Sequence, residues 1–402
     1  MTTDVDVLIV GSGPAGCSTA LHLAKLAPAL AQRTVVLEKS AHPRHKLCGG
    51  GLVPDVDVVL GNLGLDPTEV PHVDATWAHL NYNGQGTRTR PHGGIAFHVV
   101  RRREFDHWLA SRVRDTGVQI HEHTEVQSLR RESDHIVVET SRGTFRARAV
   151  VGADGTKGMV RRTIAGDDGA MARLLEVMIP PPPAGDVAPD EAVFEFRHIP
   201  QGVQGYFWSF PMVIEGRTMR NLGIYDSRVV DEAPLSGSLK RYLEDELTRQ
   251  GVRLADCKLE GHPIHLYSRR SVLSAPHILL AGDAAGADPL LGEGISPALG
   301  YGDLAARALI DGFARDDLQF RSYTRDVHAS SLGRSLRRRH FAARLVYGTT
   351  RPLFQRLVWW HLRPFVRHFV REYVFGWAGR PEPRRLTHGA GASSSAALLA
   401  QP

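Results

Sequence analysis

The sequence predicts an α/β fold on a parallel, helix-flanked sheet, with a discontinuous second domain on a mixed β-sheet and helices at the C-terminus. Three observations carry this. Two short apolar runs, residues 5–10 and 34–37, bracket a stretch of helical periodicity. Two more apolar runs, residues 149–155 and 277–286, end in turns that pair glycine with aspartate. Strand-like segments rich in aromatic residues lie between these two runs, and the chain closes on an arginine-rich amphipathic region.

The first element, residues 5–10, has the β-favouring apolar character of a buried parallel strand. It runs into Gly11-Ser12-Gly13-Pro14-Ala15-Gly16, which fits G-x-G-x-x-G, and Ala20, Leu21, Leu23 and Ala24 follow at helical spacing. Residues 34–37 form the next strand and end at Glu38. In such a Rossmann-type unit Gly11 permits the tight turn, Gly13 lets the backbone approach a pyrophosphate, and Gly16 lets helix and strand pack closely. Phosphates sit at the helix N-terminus, where free N–H groups and the helix dipole favour negative charge. Glu38, 22 residues after Gly16, is placed to accept hydrogen bonds from adenosine ribose hydroxyls. An acid there repels a 2′-phosphate, so NADP is excluded as the resident dinucleotide while NAD and FAD stay open.

Two downstream segments decide for FAD. Residues 149–155 read as a strand ending in Asp154-Gly155. Residues 277–286 read as another, with Gly282-Asp283 at its end, and lead to Asp288-Pro289-Leu290-Leu291-Gly292-Glu293-Gly294-Ile295. Ligands of an open α/β sheet sit beyond the carboxyl ends of its strands, where both motifs fall. Singly, each acid would be an ordinary turn residue. Together with the N-terminal motif, Asp283 can bond ribityl hydroxyls, and the 292–295 turn can bring N–H groups to the flavin ring. These segments resemble those of the large flavoprotein group that includes aromatic hydroxylases, halogenases and geranylgeranyl reductases, over roughly residues 5–310. The resemblance adds Arg102, in Arg102-x-x-Phe105-Asp106, near the FAD pyrophosphate. Ser12, Pro14, Ala15, Lys39, Val126, Gly155, Gly282 and Pro289 complete the expected cofactor contacts. Gly158 departs from the group, which usually carries Ser there.

Within the group, three segments are similar to geranylgeranyl reductases. Lys46-Leu47-Cys48-Gly49-Gly50 matches a Lys-x-Cys-Gly-Gly segment near the isoalloxazine, and residues 289–295 match Pro-Leu-x-Gly-Glu-Gly-Ile. Hydroxylases typically carry His after Gly-Asp-Ala-Ala and end in Gly-x-Gly-x-Asn instead. The third segment, residues 205–211, is similar to Tyr-x-Trp-x-Phe-Pro. Consecutive glycines let the backbone pass close to a ring, and Cys48 beside them is either a small buried thiol or a group that tunes the flavin or relays a proton. On a strand Tyr206, Trp208 and Phe210 share one face. Tyr206 and Trp208 suit an isoprenoid chain, bound by burying apolar surface at roughly 25 cal/mol per Å², and Phe210 suits ordinary core packing.

The resemblance implies reduction of C=C bonds of a geranylgeranyl or other polyprenyl group by hydride transfer from reduced FAD, with Cys48, Tyr206 and Trp208 as catalytic candidates. The reductant stays open between NAD(P)H and ferredoxin. A halogenase needs a lysine in the first half of the substrate region, and none occurs between Lys46 and Lys157. A monooxygenase using NAD(P)H and dioxygen on an aromatic or polyketide-like substrate, and a non-catalytic electron carrier, are the rival readings. Oxygen dependence separates the first from a reductase, and small-molecule turnover the second.

The composition suits a two-lobed globular protein: 402 residues, 42% hydrophobic and 23% charged. Cys17, Cys48 and Cys257 have no paired spacing, which excludes a disulfide framework or a cysteine zinc site and fits a cytoplasmic setting. No metal site is expected. Asp4 and Asp6 stand where a signal peptide needs positive charge, so no targeting segment is expected, and no apolar run is long enough to span a bilayer. The FAD domain is assigned to residues 1–70, 101–162 and 277–320, and the substrate domain to 71–100 and 163–276. Within the latter, strand-like runs fall at 192–196, 205–210 and 219–225, and residues 180–183 form a stiff proline loop.

Residues 321–379 should be helical, interrupted at Pro352 and Pro364. The chain's formal charge of +6 is local, since ten arginines and no acid lie between Arg334 and Arg371. Leu353, Phe354, Trp359, Trp360, Phe365 and Phe369 interleave with them, which fits either a helix packed on the protein with solvated arginines or an interfacial helix on an anionic membrane. Nucleic-acid binding is not expected, because no such motif accompanies the charge. Residues 380–402 read as disordered.

Overall fold

The computed structural model describes residues 2–91, 94–165, 170–182, 188–230 and 235–382. Its first sheet is built around the strand Thr2–Val10, in which Val7, Leu8 and Ile9 are fully buried. This strand pairs in parallel with Thr34–Leu37 on one side and Gly143–Gly152 on the other. Gln119–His121 and Ile278–Leu280 extend the parallel sheet on either side. An unalternating apolar run can only be buried on both faces, and helices supply the cover. Two of these, Pro14–Leu26 and Ile295–Arg315, pack closely: a Cβ on Gly302 would lie 2.5 Å from Ser18 Cβ, and Ser18 Oγ donates to the Leu299 carbonyl at 2.7 Å.

Register then places the motifs. Val10 lies opposite both Leu37 and Gly152, and Gly152 opposite Leu280, so four strands end at one level. Gly11 and Glu38 follow those ends directly, and Asp154 and Asp283 within three residues. Residues far apart in sequence are thereby delivered to one edge.

A seven-stranded sheet faces this edge, in the order Glu260–His265, Met171–Ile179, Arg217–Asp226, Gly205–Ile214, Glu191–Glu195, Trp77–Tyr82, Gln85–Thr89. All neighbours are antiparallel except Glu191–Glu195 with Trp77–Tyr82, which makes the sheet mixed as the sequence predicts. The helix Leu239–Arg249, capped by Ser238, covers its outer face with Leu243 and Leu247 against Val177, Leu222 and Ile224. A small third sheet joins Gly51–Leu52, Phe97–Val100 and His72–Ala75, all antiparallel.

The C-terminal region is helical over Tyr323–Ala329, Ser331–Tyr347, Pro352–Arg356 and Arg363–Tyr373. Pro352 and Pro364 sit in first turns, where a missing N–H goes unnoticed. Neither reading of the arginine block fits Arg339, which is fully buried and hydrogen-bonded within the protein. Arg380 donates to Glu372 and Glu382 accepts from Ser331. Pro183 of the proline loop and residues 383–402 of the tail lie outside the described residues.

Candidate functional site: a cleft between two sheets

A cavity of about 820 Å³ runs between the first sheet's strand ends and the seven-stranded sheet. Its first end is walled by Gly11, Gly13, Pro14 and Ala15, with Glu38, Lys39 and Val126 beside them. Gly11 has φ +100°, and a Cβ there would lie 2.4 Å from the Ala153 carbonyl oxygen. A Cβ on Gly16 would lie 1.9 Å from the Gly11 oxygen, so both glycines are demanded by packing. Gly13 differs, since its Cβ would meet nothing nearer than Arg44 Nη2 at 3.6 Å. The helix starts there with no side-chain cap and no acid in its first turn, leaving its N–H groups for an anion. Ser12 lies beneath: its N and Oγ donate to Glu38 Oε2 at 3.2 and 2.7 Å. Ser12, Gly16 and Pro289 are not among the residues that line the cavity.

Charge is organised as a chain. Arg44 reaches Glu38 and Asp106, each at 3.2 Å, and Asp106 takes a two-pronged contact from Arg102 at 2.7 and 2.9 Å. Burial pushes Glu38 up, but Arg44 and hydrogen bonds from Ser40 and Ser12 outweigh it and hold the carboxyl below its ordinary range. Burial acts the same way on Asp106 and is overcome chiefly by Arg102. Lys46 Nζ lies 2.8 Å from His262 Nε2. Burial and the facing Lys46 lower His262 to about 4, so the ring is neutral and accepts from Lys46. Arg44 and His262 were not among the residues expected from sequence. The basic run at 42–46 signals Arg44, but nothing local marks His262.

Farther along, Asp154, Gly155, Gly282, Asp283, Gly292, Gly294 and Ile295 line the cavity. Asp154 Oδ2 accepts from Val160 N at 2.9 Å, whereas buried Oδ1 has no partner in the protein, and burial raises the carboxyl to about 6. Gly158 now has a reason: a Cβ there would sit 2.1 Å from Asp154 Oδ1, in space the carboxylate fills. The loop before Ile295 is held by buried groups. Asp288 accepts from Leu290 N and Leu291 N, and Glu293 from Ser296 N, while Arg339 pairs with both acids at 3.3 and 2.9 Å.

Cys48, Gly49 and Gly50 bring the backbone to the middle of the cleft. Gly50 has φ +78°, and a Cβ would lie 2.1 Å from the Val100 oxygen. The Cys48 carbonyl accepts from Asn221 Nδ2 at 3.3 Å, and Asn221 Oδ1 accepts from Trp208 Nε1 at 2.7 Å. The Tyr206 hydroxyl donates to the Leu291 carbonyl. The polar atoms of Tyr206 and Trp208 are thus engaged by the protein, and their rings line the cavity. Phe210, expected in the core alone, lines it too. Glu176, buried behind the lining, is a further acid that sequence reading did not single out. On the face shared with Leu174, neither of its oxygens makes a well-formed hydrogen bond, and burial raises it to about 7. A lone acid in an apolar strand was its only signal.

A steric cradle at Gly11 and Gly16, an uncapped helix start, fixed cations and an orphaned Asp154 oxygen fit a dinucleotide. The fold and cleft define a two-lobed FAD-dependent oxidoreductase. Residues 4–296 match the FAD binding domain family, and the chain belongs to it. Among curated proteins it is similar to a menaquinone reductase of Mycolicibacterium smegmatis, 27% identical over 347 residues and 79% of each chain. It is also similar to a digeranylgeranylglycerophospholipid reductase of Methanosphaera stadtmanae, 26% identical over 330 residues, 76% of this chain and 77% of the relative. The fold is shared with a geranylgeranyl bacteriochlorophyll reductase-like protein of Thermoplasma acidophilum at a TM-score of 0.70 and 22% identity, covering 87% of this chain and 88% of that one.

Proposed function

We propose that this enzyme reduces C=C bonds in the polyprenyl group of a lipid. The observation that carries the reading is the far half of the cleft, where Phe97, Phe194, Tyr206, Trp208 and Phe210 form an aromatic wall leading away from Gly49. Val370, Val374 and Phe375 of the C-terminal region roof it. An unactivated alkene offers no charge to grip, so the walls must bind by apolar burial, at roughly 25 cal/mol per Å², and keep water out. The names of the two curated relatives point to lipids of this kind. FAD bound in its reduced form would supply the hydride, and NAD(P)H or ferredoxin would be the outside source of electrons.

The chain's own residues orient the alkene and hold the proton. Cys48, with Sγ 3.4 Å from Gly50 N and next to the Arg102 guanidinium, is the proton donor in this proposal. Burial raises Tyr206 well above its ordinary value, so its hydroxyl stays protonated and serves to hold Leu291. Trp208 positions Cys48 through Asn221. The test is anaerobic incubation of FAD-loaded protein with a geranylgeranylated lipid and dithionite, read by mass spectrometry. The product should gain two hydrogens per saturated bond, and Cys48→Ala should slow turnover by about 10²-fold or more. A product that forms only with dioxygen and gains an oxygen atom would instead establish a monooxygenase.

Access for such a lipid is part of the same proposal. Phe341, Leu353 and Phe365 are 71, 77 and 65% exposed among the arginines of the C-terminal region. Among the described residues no helix is long and apolar enough to cross a membrane. A surface combining apolar side chains with arginine suits the interface of an anionic bilayer, each arginine adding about 1 kcal/mol. The protein should co-sediment with phosphatidylglycerol vesicles and not with phosphatidylcholine vesicles, and Phe341→Ser with Leu353→Ser should release it. Equal partition to both vesicle types would remove this part of the reading.

A further inference from the structure

We infer a second site, behind the cavity wall, that takes a divalent transition-metal ion through His72, Asp74 and His98. It stands apart from the reductase reading. In the third sheet Asp74 lies directly opposite His98, and His72 is two residues before Asp74. Side chains alternate along a strand, so all three project from one face. The opposite face carries Phe97 and Ala75, and Phe97 lines the cavity. His98 Nδ1 is 2.7 Å and His72 Nε2 3.4 Å from Asp74 Oδ1, and the three ligand atoms lie within 4.8 Å of one another. A tetrahedral ion with bonds of about 2.0–2.2 Å sets its ligands roughly 3.4 Å apart. Binding therefore needs only small side-chain movements.

A second observation points the same way. His72 Nδ1 lies 2.8 Å from the Val70 carbonyl. That contact fixes the tautomer that keeps the Nε2 lone pair free toward Asp74, which is how metal-binding histidines are commonly oriented. The rings of His72 and His98 stand edge to face at 4.8 Å between centroids. Asp57 and Asp66, from the neighbouring helix and loop, lie within electrostatic reach of His98 and add negative charge around the site. The Asp74 side chain is 52% exposed, so an ion enters from solvent and water completes its coordination. Two imidazoles and one carboxylate suit zinc, nickel, copper or iron(II) over calcium or magnesium. The ion braces the strand Phe97–Val100, whose Val99 pairs with Gly51, immediately after the Cys48–Gly50 turn. No cysteine takes part, and the ligands come from two strands, which is why sequence spacing did not reveal them.

The test is titration of chelator-treated, FAD-loaded full-length protein with zinc chloride by calorimetry and with cobalt(II) by visible absorption. One equivalent of zinc should bind, and cobalt should give the intense ligand-field bands of a low-coordinate site. His98→Ala and the isosteric Asp74→Asn should each weaken binding at least tenfold and abolish those bands, while flavin content stays that of the wild type. Absence of a one-equivalent site in the wild type would overturn the inference. So would variants that bind as tightly as the parent, because the ion would then sit among others of the chain's 20 histidines.

Discussion

Arg339→Ala should destabilise the protein by about 3–5 kcal/mol and release its flavin, because it strips a buried cation from several acceptors. Arg339 Nη1 pairs with Asp288 and Glu293, Nε donates to the Tyr373 carbonyl at 2.7 Å, and Nη2 donates to the Val374 carbonyl at 3.1 Å. One side chain thus ties the loop before Ile295 to the segment that roofs the cavity. Burial already pushes Glu293 above its ordinary range, with Arg339 opposing it. Burial raises Asp55 to about 7, against a hydrogen bond from Ala378 N and the same guanidinium. Groups raised in the folded state bind protons more readily there than when unfolded. Their contribution is therefore present at low pH and lost as pH rises through the folded value. Removing Arg339 raises these carboxyls further, so the deficit should be larger at about pH 8 than at about pH 5. Urea denaturation at both values, with flavin fluorescence as a second readout, checks this. Arg339→Lys should recover only part of the loss, since an ammonium cannot make the planar fork. A variant within 1 kcal/mol of the parent that keeps its flavin would show that the hub is dispensable.

The second large effect is expected at the N-terminal turn. Gly16→Ala places a Cβ 1.9 Å from the Gly11 carbonyl oxygen and 3.2 Å from Ile9 Cγ2, and backbone cannot yield there as a side chain would. The helix start must lift from the strand, moving the uncapped N–H groups that wall the first end of the cavity. FAD affinity should fall by about 10²-fold or more, roughly 3 kcal/mol, with a lowered melting temperature. Gly13→Ala should behave differently. Its nearest neighbour would be Arg44 Nη2 at 3.6 Å, so the apoprotein should melt near the parent while FAD binding still fails, because the methyl fills the pyrophosphate's approach. Melting curves of the two apoproteins, with flavin titration, separate packing from ligand contact. A Gly16→Ala protein that purifies with a full complement of flavin would refute the steric account.

The glycines at 11, 13 and 16, Glu38 and the Gly282-Asp283 turn were legible in the sequence because each belongs to a contiguous strand–turn unit. Backbone geometry over a few residues dictates such spacing, and periodicity exposes the strands on either side. The aromatic run at 205–211 was legible for the same reason, although only packing put Phe210 on the cavity wall. Arg44 was half-visible in a basic run. Arg339 was hidden inside a block of ten arginines, whose shared charge gave no hint that one of them is wholly buried.

What the sequence determined by itself is the fold class, the FAD cofactor and the turns that gather at the first sheet's strand ends, because local backbone requirements write themselves into local spacing. Tertiary structure alone decided which side chains meet across strands: Lys46 with His262, Trp208 with Asn221, Arg339 with Asp288 and Glu293, and His72 and Asp74 with His98. Those meetings depend on strand register and on how two sheets face each other. Register arises from the whole hydrophobic pattern and not from any one motif.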